Sequence, residues 1–381
     1  MTDASSRTYW YQQPLVIALY FIGTCVLFIQ SLVTNKYNNF VIFRSSWDHM
    51  LHHQPLYLLY PDTYFDYYLY HPSFPVFFAP IAILPRAIGL FVWLMGSTVL
   101  FLYAIRQLPL AANKRYIVYW LLILELLNAI QSSQTNPLMT ALMILTVVNL
   151  DRKKPVPAAL FTCLCFFIKG YGAIIGLLFL FFDKKWIYLK YCIIFGIAGT
   201  LLPLLVLSPA ELLQSYKDWY ALITSSTIVE NVSLRGMMHA ISNTPQQVTT
   251  ATDMIVFLCA IMGLIAAFIS GWTYKPAYYQ WVTCGYLLIW IVVFNQSSES
   301  PTYIVAVTGA VAGLMLIQDK KAPLFLLGLL ILVTSLFPTD LVPKFINRFV
   351  IAYHLKVLPC VVILLYFQYH LFSQAKRPKS A

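Results

Sequence analysis

Apolar runs long enough to cross a bilayer recur along nearly the whole chain, each closed off by a polar connection. A spanning helix needs about 20 apolar residues, and somewhat fewer where the bilayer thins. The pattern therefore predicts spans at 14–34, 87–105, 116–130, 137–150, 187–207, 252–271, 278–294, 301–317, 322–337 and 350–372. Two further apolar pieces within 155–185 are split by Lys169-Gly170-Tyr171-Gly172, and each is too short for an ordinary span. They are expected to form a re-entrant or thinned helical pair. A short apolar piece at 73–84 ends at Pro85 and is expected at the membrane interface. No small-residue cleavage site follows the first run, so it reads as an anchor helix and not as a cleaved signal. The expected fold is all-α: one polytopic membrane domain over 1–381, with about 10–12 transmembrane helices.

Composition agrees, because 60% hydrophobic and 10% charged residues over 381 positions exclude a soluble domain. The net charge of +11 invites a nucleic-acid partner. The basic residues are instead scattered among short connections, which is the mark of topology, and no nucleic acid is expected. Sixteen of the 25 Lys and Arg fall in one alternating set of connections, among them Arg106, Lys114, Arg115, Arg152 to Lys154, Lys184 and Lys185. Both termini belong to that set, which the positive-inside rule places in the cytoplasm. The opposite face receives a first long loop, about 35–85, and a second, about 208–251. A bacterial inner membrane is the simplest setting.

The seven cysteines lie in apolar runs and form neither a disulfide framework nor a zinc spacing. No glycine-rich nucleotide cradle is present. Chemistry must come from the outer loops and helix ends. The first loop carries Asp48, Asp62 and Asp66 among many aromatic rings, with Arg44 nearby, and its carboxylates suit a general base. Its aromatic faces suit either sugar rings or an interfacial belt. His49 and His53 stand four apart, but without an HExxH pattern they read as solvated and not as metal ligands. Glu125, Asn128 and Ser132 share one helical face; a carboxylate there needs a partner or a wet cavity. Lys169 at the apex of the broken pair and Arg235 beside Gly236 are candidate phosphate-binding cations. Asn295 to Ser300 form an amide- and hydroxyl-rich rim, and two weak glycosylation sequons begin at Asn231 and Asn295.

In order, Leu56-Tyr57, Tyr70-His71-Pro72-Ser73-Phe74, Ala79-Pro80, Leu84-Pro85, Gln134-Thr135-Asn136-Pro137, Ile168-Lys169-Gly170-Tyr171, Tyr216-Lys217-Asp218-Trp219 and Asn295-Gln296-Ser297-Ser298 occur along the chain. Together they resemble glycosyltransferase family 87, membrane enzymes of the GT-C type. The resemblance covers nearly the whole chain. It implies inverting transfer on the extracytoplasmic face of a hexosyl unit, mannosyl first, or a pentosyl unit. The partners implied are a polyprenyl-phosphate-sugar donor, a lipid or glycan acceptor and membrane lipids, with no cofactor and no metal.

A loop aspartate would deprotonate the acceptor hydroxyl. At the position where the family aspartate is expected, this chain has Asn39, and an amide cannot act as a base. Asp66 is the first expected replacement and Asp48 the second, with Glu125 and Glu299 further candidates. Arg235, Lys169 and Arg44 are expected at the donor phosphate. Asn39, Tyr70, His71, Asn136, Tyr171, Trp219, Asn295 and Ser298 are expected around sugar or acceptor. The competing readings are a transporter or flippase of a lipid-linked saccharide, which broken helices and buried polar groups also suit, and a noncatalytic relative.

Overall fold

Prolines set the starts of many of the helices. The computed structural model describes residues 14–225, 232–245, 251–273, 277–317 and 321–375, and among these there are helices and connections but no strand. Helix α1 (Leu15–Thr34) ends where Asn35 turns left-handed, its N–H returning to the Ser31 carbonyl. Then follow α2 (Asn38–Leu51), α3 (Phe74–Ala82), α4 (Arg86–Arg106), α5 (Ala112–Gln131), α6 (Asn136–Asp151) and α7 (Pro155–Ile168). Pro75, Pro137 and Pro155 sit in first turns, where a missing N–H costs nothing. A 3-10 segment, Gly170–Phe181, continues from α7 after the break at Lys169.

Next come α8 (Lys185–Leu201), α9 (Pro209–Thr224), α10 (Leu234–Ser242), α11 (Ala251–Thr273), α12 (Ala277–Val293), α13 (Tyr303–Leu316) and α14 (Lys321–Leu329). A π-helical stretch, Leu330–Leu336, prolongs α14, and α15 (Lys344–Ala352) and α16 (Leu358–Ala375) close the chain.

Five stretches are long and apolar enough to span a membrane alone: Leu15–Thr34, Arg86–Arg106, Lys185–Leu205, Ala251–Ser270 and Leu355–Ser373. Shorter apolar helices fill the bundle between them. Large apolar side chains point outward, as Ile22, Val26, Ile29 and Val33 do on α1 and Phe257, Leu258, Ile261, Met262 and Ile265 do on α11. Only lipid covers such a girdle at low cost. The chain is an all-α polytopic membrane protein.

The centre of the bundle is α6, α12 and α13. Helices α6 and α13 are buried around nearly their whole circumference. Glycines let α12 and α13 approach closely: a Cβ added to Gly309 would stand 2.6 Å from Leu288 Cβ and 2.8 Å from the Gly285 carbonyl oxygen.

Three expectations change. The predicted span 350–372 is split at His354 (φ 51) into α15 and α16, and Lys356 in the break is buried against Glu125, 3.0 Å from Nζ to Oε2. That pair is the partner Glu125 requires; a continuous helix would have carried the lysine elsewhere. The first long loop contains a full helix, α2. The second contains α9, whose start is a capping box between Ser208 and Glu211, and α10. Both chain ends and Asn231 of the first sequon lie outside the described residues.

Because the α12–α13 contact leaves no room for a side chain, Gly309→Val is expected to lower the thermal unfolding midpoint in detergent, with a stability loss of about 1–3 kcal/mol. Gly96→Val, where an added Cβ meets nothing within 4 Å, serves as control. Equal midpoints for the two variants would contradict the close contact.

Candidate active site

A cavity of about 1280 Å³ opens at the end of the bundle that bears the first loop, between the end of α1, α2, residues 61–65, the α3–α4 junction and the end of α5. Its walls are tied by polar bonds. Asn38 clamps the 61–65 turn, donating from Nδ2 to the Phe65 carbonyl (2.6 Å) and accepting the Phe65 N–H at Oδ1 (2.9 Å). Asn39 Nδ2 donates to the Ser132 carbonyl at 2.9 Å, fastening α2 to the end of α5. Arg44 donates from one terminal nitrogen to the Leu84 carbonyl at 2.6 Å, fixing α2 to the turn before α4. Trp93 on α4 donates to the Ser133 carbonyl at 3.0 Å.

Two carboxylates, Asp48 and Asp62, and three cations, Lys36, Arg44 and Arg86, line this cavity. Asp48 lies one helical turn after Arg44, which places both on one face of α2. The aspartate is exposed and 3.6 Å from His52 Nδ1. Asp66 is exposed, sits in a left-handed turn (φ 82) and is not part of the lining. The three histidines of the loop take separate partners: His49 stacks on Tyr60 at 3.9 Å, His52 bonds the Asp48 carbonyl, and His53 pairs with Glu211 at 2.9 Å.

A second polar cluster begins one turn past Ser132. Tyr70 donates to Gln134 Oε1 (3.4 Å), and Gln134 Nε2 donates to Glu299 Oε2 (3.0 Å). Lys169 Nζ donates to Asn136 Oδ1 (3.5 Å) and stands 5.3 Å over the Tyr70 ring. Glu299 acts electrostatically on Lys169, Tyr70 and Tyr171. Asn136 Nδ2 and the Tyr171 hydroxyl are buried without a protein partner among the described residues. Such orphaned donors call for water or a ligand.

The remaining expected residues divide. His71 is buried in a box of Phe166, Phe167, Tyr216 and Trp219, and its Nδ1 accepts the Ser73 N–H at 3.1 Å. Burial pushes its pKa from 6.5 down to about 3, so the ring is neutral and structural. Trp219 closes the box and donates to the Leu69 carbonyl at 3.4 Å. Ser298 spends its hydroxyl on the Val292 carbonyl, while Asn295 accepts the Ser297 N–H and keeps a buried, unpartnered Nδ2. Arg235 is paired with Asp253 at 3.0 Å, and His239 holds the same carboxylate at 2.9 Å. The cavity thus brings Asp48, Arg44 and Asn39 together, the second cluster brings Lys169, Asn136, Tyr70 and Tyr171 together, and Arg235 belongs to neither set. Sequence reasoning missed Lys36 and Arg86 as cavity residues and ranked Asp62 only among the loop carboxylates. Pro85 before Arg86 was the available signal, since it starts α4 at the cavity rim.

The fold is that of a helical membrane bundle with a wide cavity lined by carboxylates and guanidinium groups, the kind of concave polar site in which a ligand is bound. The profile of glycosyltransferase family 87 matches residues 68–294, and the chain belongs to that family. It is a membrane glycosyltransferase. The match spans Tyr70, His71, Asn136, Lys169, Tyr171, Trp219, Arg235 and, at its far end, all of α12, and it begins after α2. Comparison with curated proteins gives no match.

The neutral, buried His71 has a pH consequence. The unfolded chain takes up a proton below about 6.5 and the folded chain does so only near 3, so stability falls as pH drops through that window, by up to about 1.4 kcal/mol per pH unit. His71→Asn, which keeps an acceptor for Ser73, is expected to show a shallower drop in unfolding midpoint between pH 7 and pH 5 than the parent protein. Equal slopes would show that His71 does not titrate on unfolding.

Proposed function

We propose that this glycosyltransferase moves a hexosyl unit, mannosyl first, or a pentosyl unit from a polyprenyl-phosphate donor to a lipid or glycan acceptor, with inversion. In this reading the reaction runs on the extracytoplasmic face of a bacterial inner membrane; the cavity's position at the end of the bundle opposite the lysine-rich connections supports that face. The observation that carries the reading is the presence of Asp48, Arg44 and Arg86 in the lining of one cavity.

Asp48 is the base in this account, ahead of Asp66, because it faces the cavity and Asp66 does not. It takes the proton of the acceptor hydroxyl as the acceptor oxygen bonds to the anomeric carbon. The bond from that carbon to the phosphate oxygen breaks, and the lipid phosphate leaves with the electron pair. Arg44 and Arg86 meet the charge that develops on the phosphate. Lys169, Asn136 and Tyr171 form a separate polar cluster outside the cavity lining and take no part in this step. Arg235, held by Asp253, steadies α10 against α11.

A second reading, a noncatalytic relative, draws on Asn39. Its amide is committed to the Ser132 carbonyl, a role a carboxylate could not fill without repulsion between oxygens.

One set of assays separates the possibilities. Transfer from polyprenyl-phosphate mannose, glucose and arabinose to a membrane lipid extract is expected in the parent protein. Asp48→Asn is expected to lower it by about 10²–10⁴-fold, the usual contribution of a positioned base, and Asp66→Asn to leave it within severalfold. Loss in Asp66→Asn alone would move the base there. No transfer by the parent protein, with transfer gained by Asn39→Asp, would establish the noncatalytic reading.

A further inference from the structure

A second cavity, of about 530 Å³, lies at the opposite end of the bundle, between the first turns of α1, the last turns of α4 and the first turns of α5. Arg106 ends α4 and Arg115 lies in the first turn of α5, and both face this space. Arg115 gives one terminal nitrogen to the Leu110 carbonyl at 2.7 Å, while its Nε is buried with no partner. Neither arginine makes an ion pair among the described residues, and no carboxylate lines the cavity. Both guanidinium groups stand near enough to the Tyr119 phenol to act on it electrostatically. Lys114, their neighbour, is committed elsewhere, its Nζ donating to the Met315 carbonyl at 2.6 Å.

Two guanidinium groups beside a cavity with no counter-charge among the described residues, one of them with a buried unused donor, suit an anion. Ala112, the first residue of α5, also lines the space, so the positive end of a 20-residue helix adds to the field. The other walls are apolar: Ile17 and Phe21 on α1, Val99 and Leu102 on α4. Val99 is exposed on the membrane-facing side. A free phosphate would satisfy the arginines and leave those walls bare. We infer that this cavity binds the phosphate of an anionic glycerophospholipid of the cytoplasmic leaflet, with an acyl chain laid along Ile17, Phe21 and Val99. Arginine matches phosphate oxygens in a bidentate way, and basic pockets between helices on this side of a membrane suit such headgroups. The site is remote from the transfer cavity and does not depend on its chemistry.

Native mass spectrometry of the purified full chain, titrated with phosphatidylglycerol or phosphatidylcholine, tests the inference. Phosphatidylglycerol is expected to bind more tightly than phosphatidylcholine. Arg106→Gln, at an exposed position without hydrogen bonds to lose, is expected to weaken it about fivefold, the worth of one basic residue near a lipid surface. Val99→Trp, which leaves both arginines in place and fills the acyl path, is expected to weaken both lipids. Equal retention of the two lipids by the parent protein, or unchanged phosphatidylglycerol binding in either variant, overturns the assignment. Displacement of phosphatidylglycerol by millimolar inorganic phosphate overturns the lipid source in favour of a free anion.

Discussion

The turn between α5 and α6, residues 132–135, is the constraint around which the working end of the molecule is arranged. Backbone carbonyls at this depth find little water, so each must be met by protein or by a wet cavity. Ser132 is met by Asn39 from α2 and Ser133 by Trp93 from α4. The side chains that follow reach the other way: Gln134 to Tyr70 and Glu299, Asn136 to Lys169. Five residues from separate parts of the chain, Asn39, Tyr70, Trp93, Lys169 and Glu299, are thereby indexed to one turn and the helix start after it. The transfer cavity lies on one side of it and the Lys169 cluster on the other. Seen this way, Asn39 holds the wall of the site in place, and the family's expected carboxylate at that position would oppose a carbonyl oxygen.

A second buried contact sets the depth of the bundle. Lys356 meets Glu125 at 3.0 Å and also bonds Ser300, with both charged side chains almost wholly enclosed. Removing either partner would leave the other charge uncompensated, a loss of about 3–5 kcal/mol in buried pairs generally. The break at His354 and the π-helical stretch before it let the lysine turn inward. The final helix therefore begins at the level of the polar rim formed by Glu299 and Ser300, and the two ends of the chain's second half are held in register.

Much of this was legible in the sequence. Hydrophobic runs located most of the apolar helices to within a few residues, the run 350–372 excepted. The break at Lys169 was visible because its flanking runs are too short. The helices inside the outer loops were less visible, since their faces alternate polar and aromatic residues and carry little apolar signal. The site was half legible. Of the expected residues Asp48, Arg44 and Asn39 share one cavity, while Asp66 lies outside its lining; the helix carries Asp48 and a left-handed turn carries Asp66, and no spacing rule reveals that difference. Partners such as Lys356 for Glu125, 231 positions apart, come from packing alone.

The central claim is that donor phosphate and catalytic base meet in the 1280 Å³ cavity beside α2. The most direct measurement is a structure of the protein with a non-transferable phosphonate analogue of a polyprenyl-phosphate sugar. The account predicts the phosphonate between Arg44 and Arg86, with the anomeric carbon turned toward the Asp48 carboxylate. A phosphonate bound to Arg235, or a sugar placed out of reach of Asp48, would contradict it.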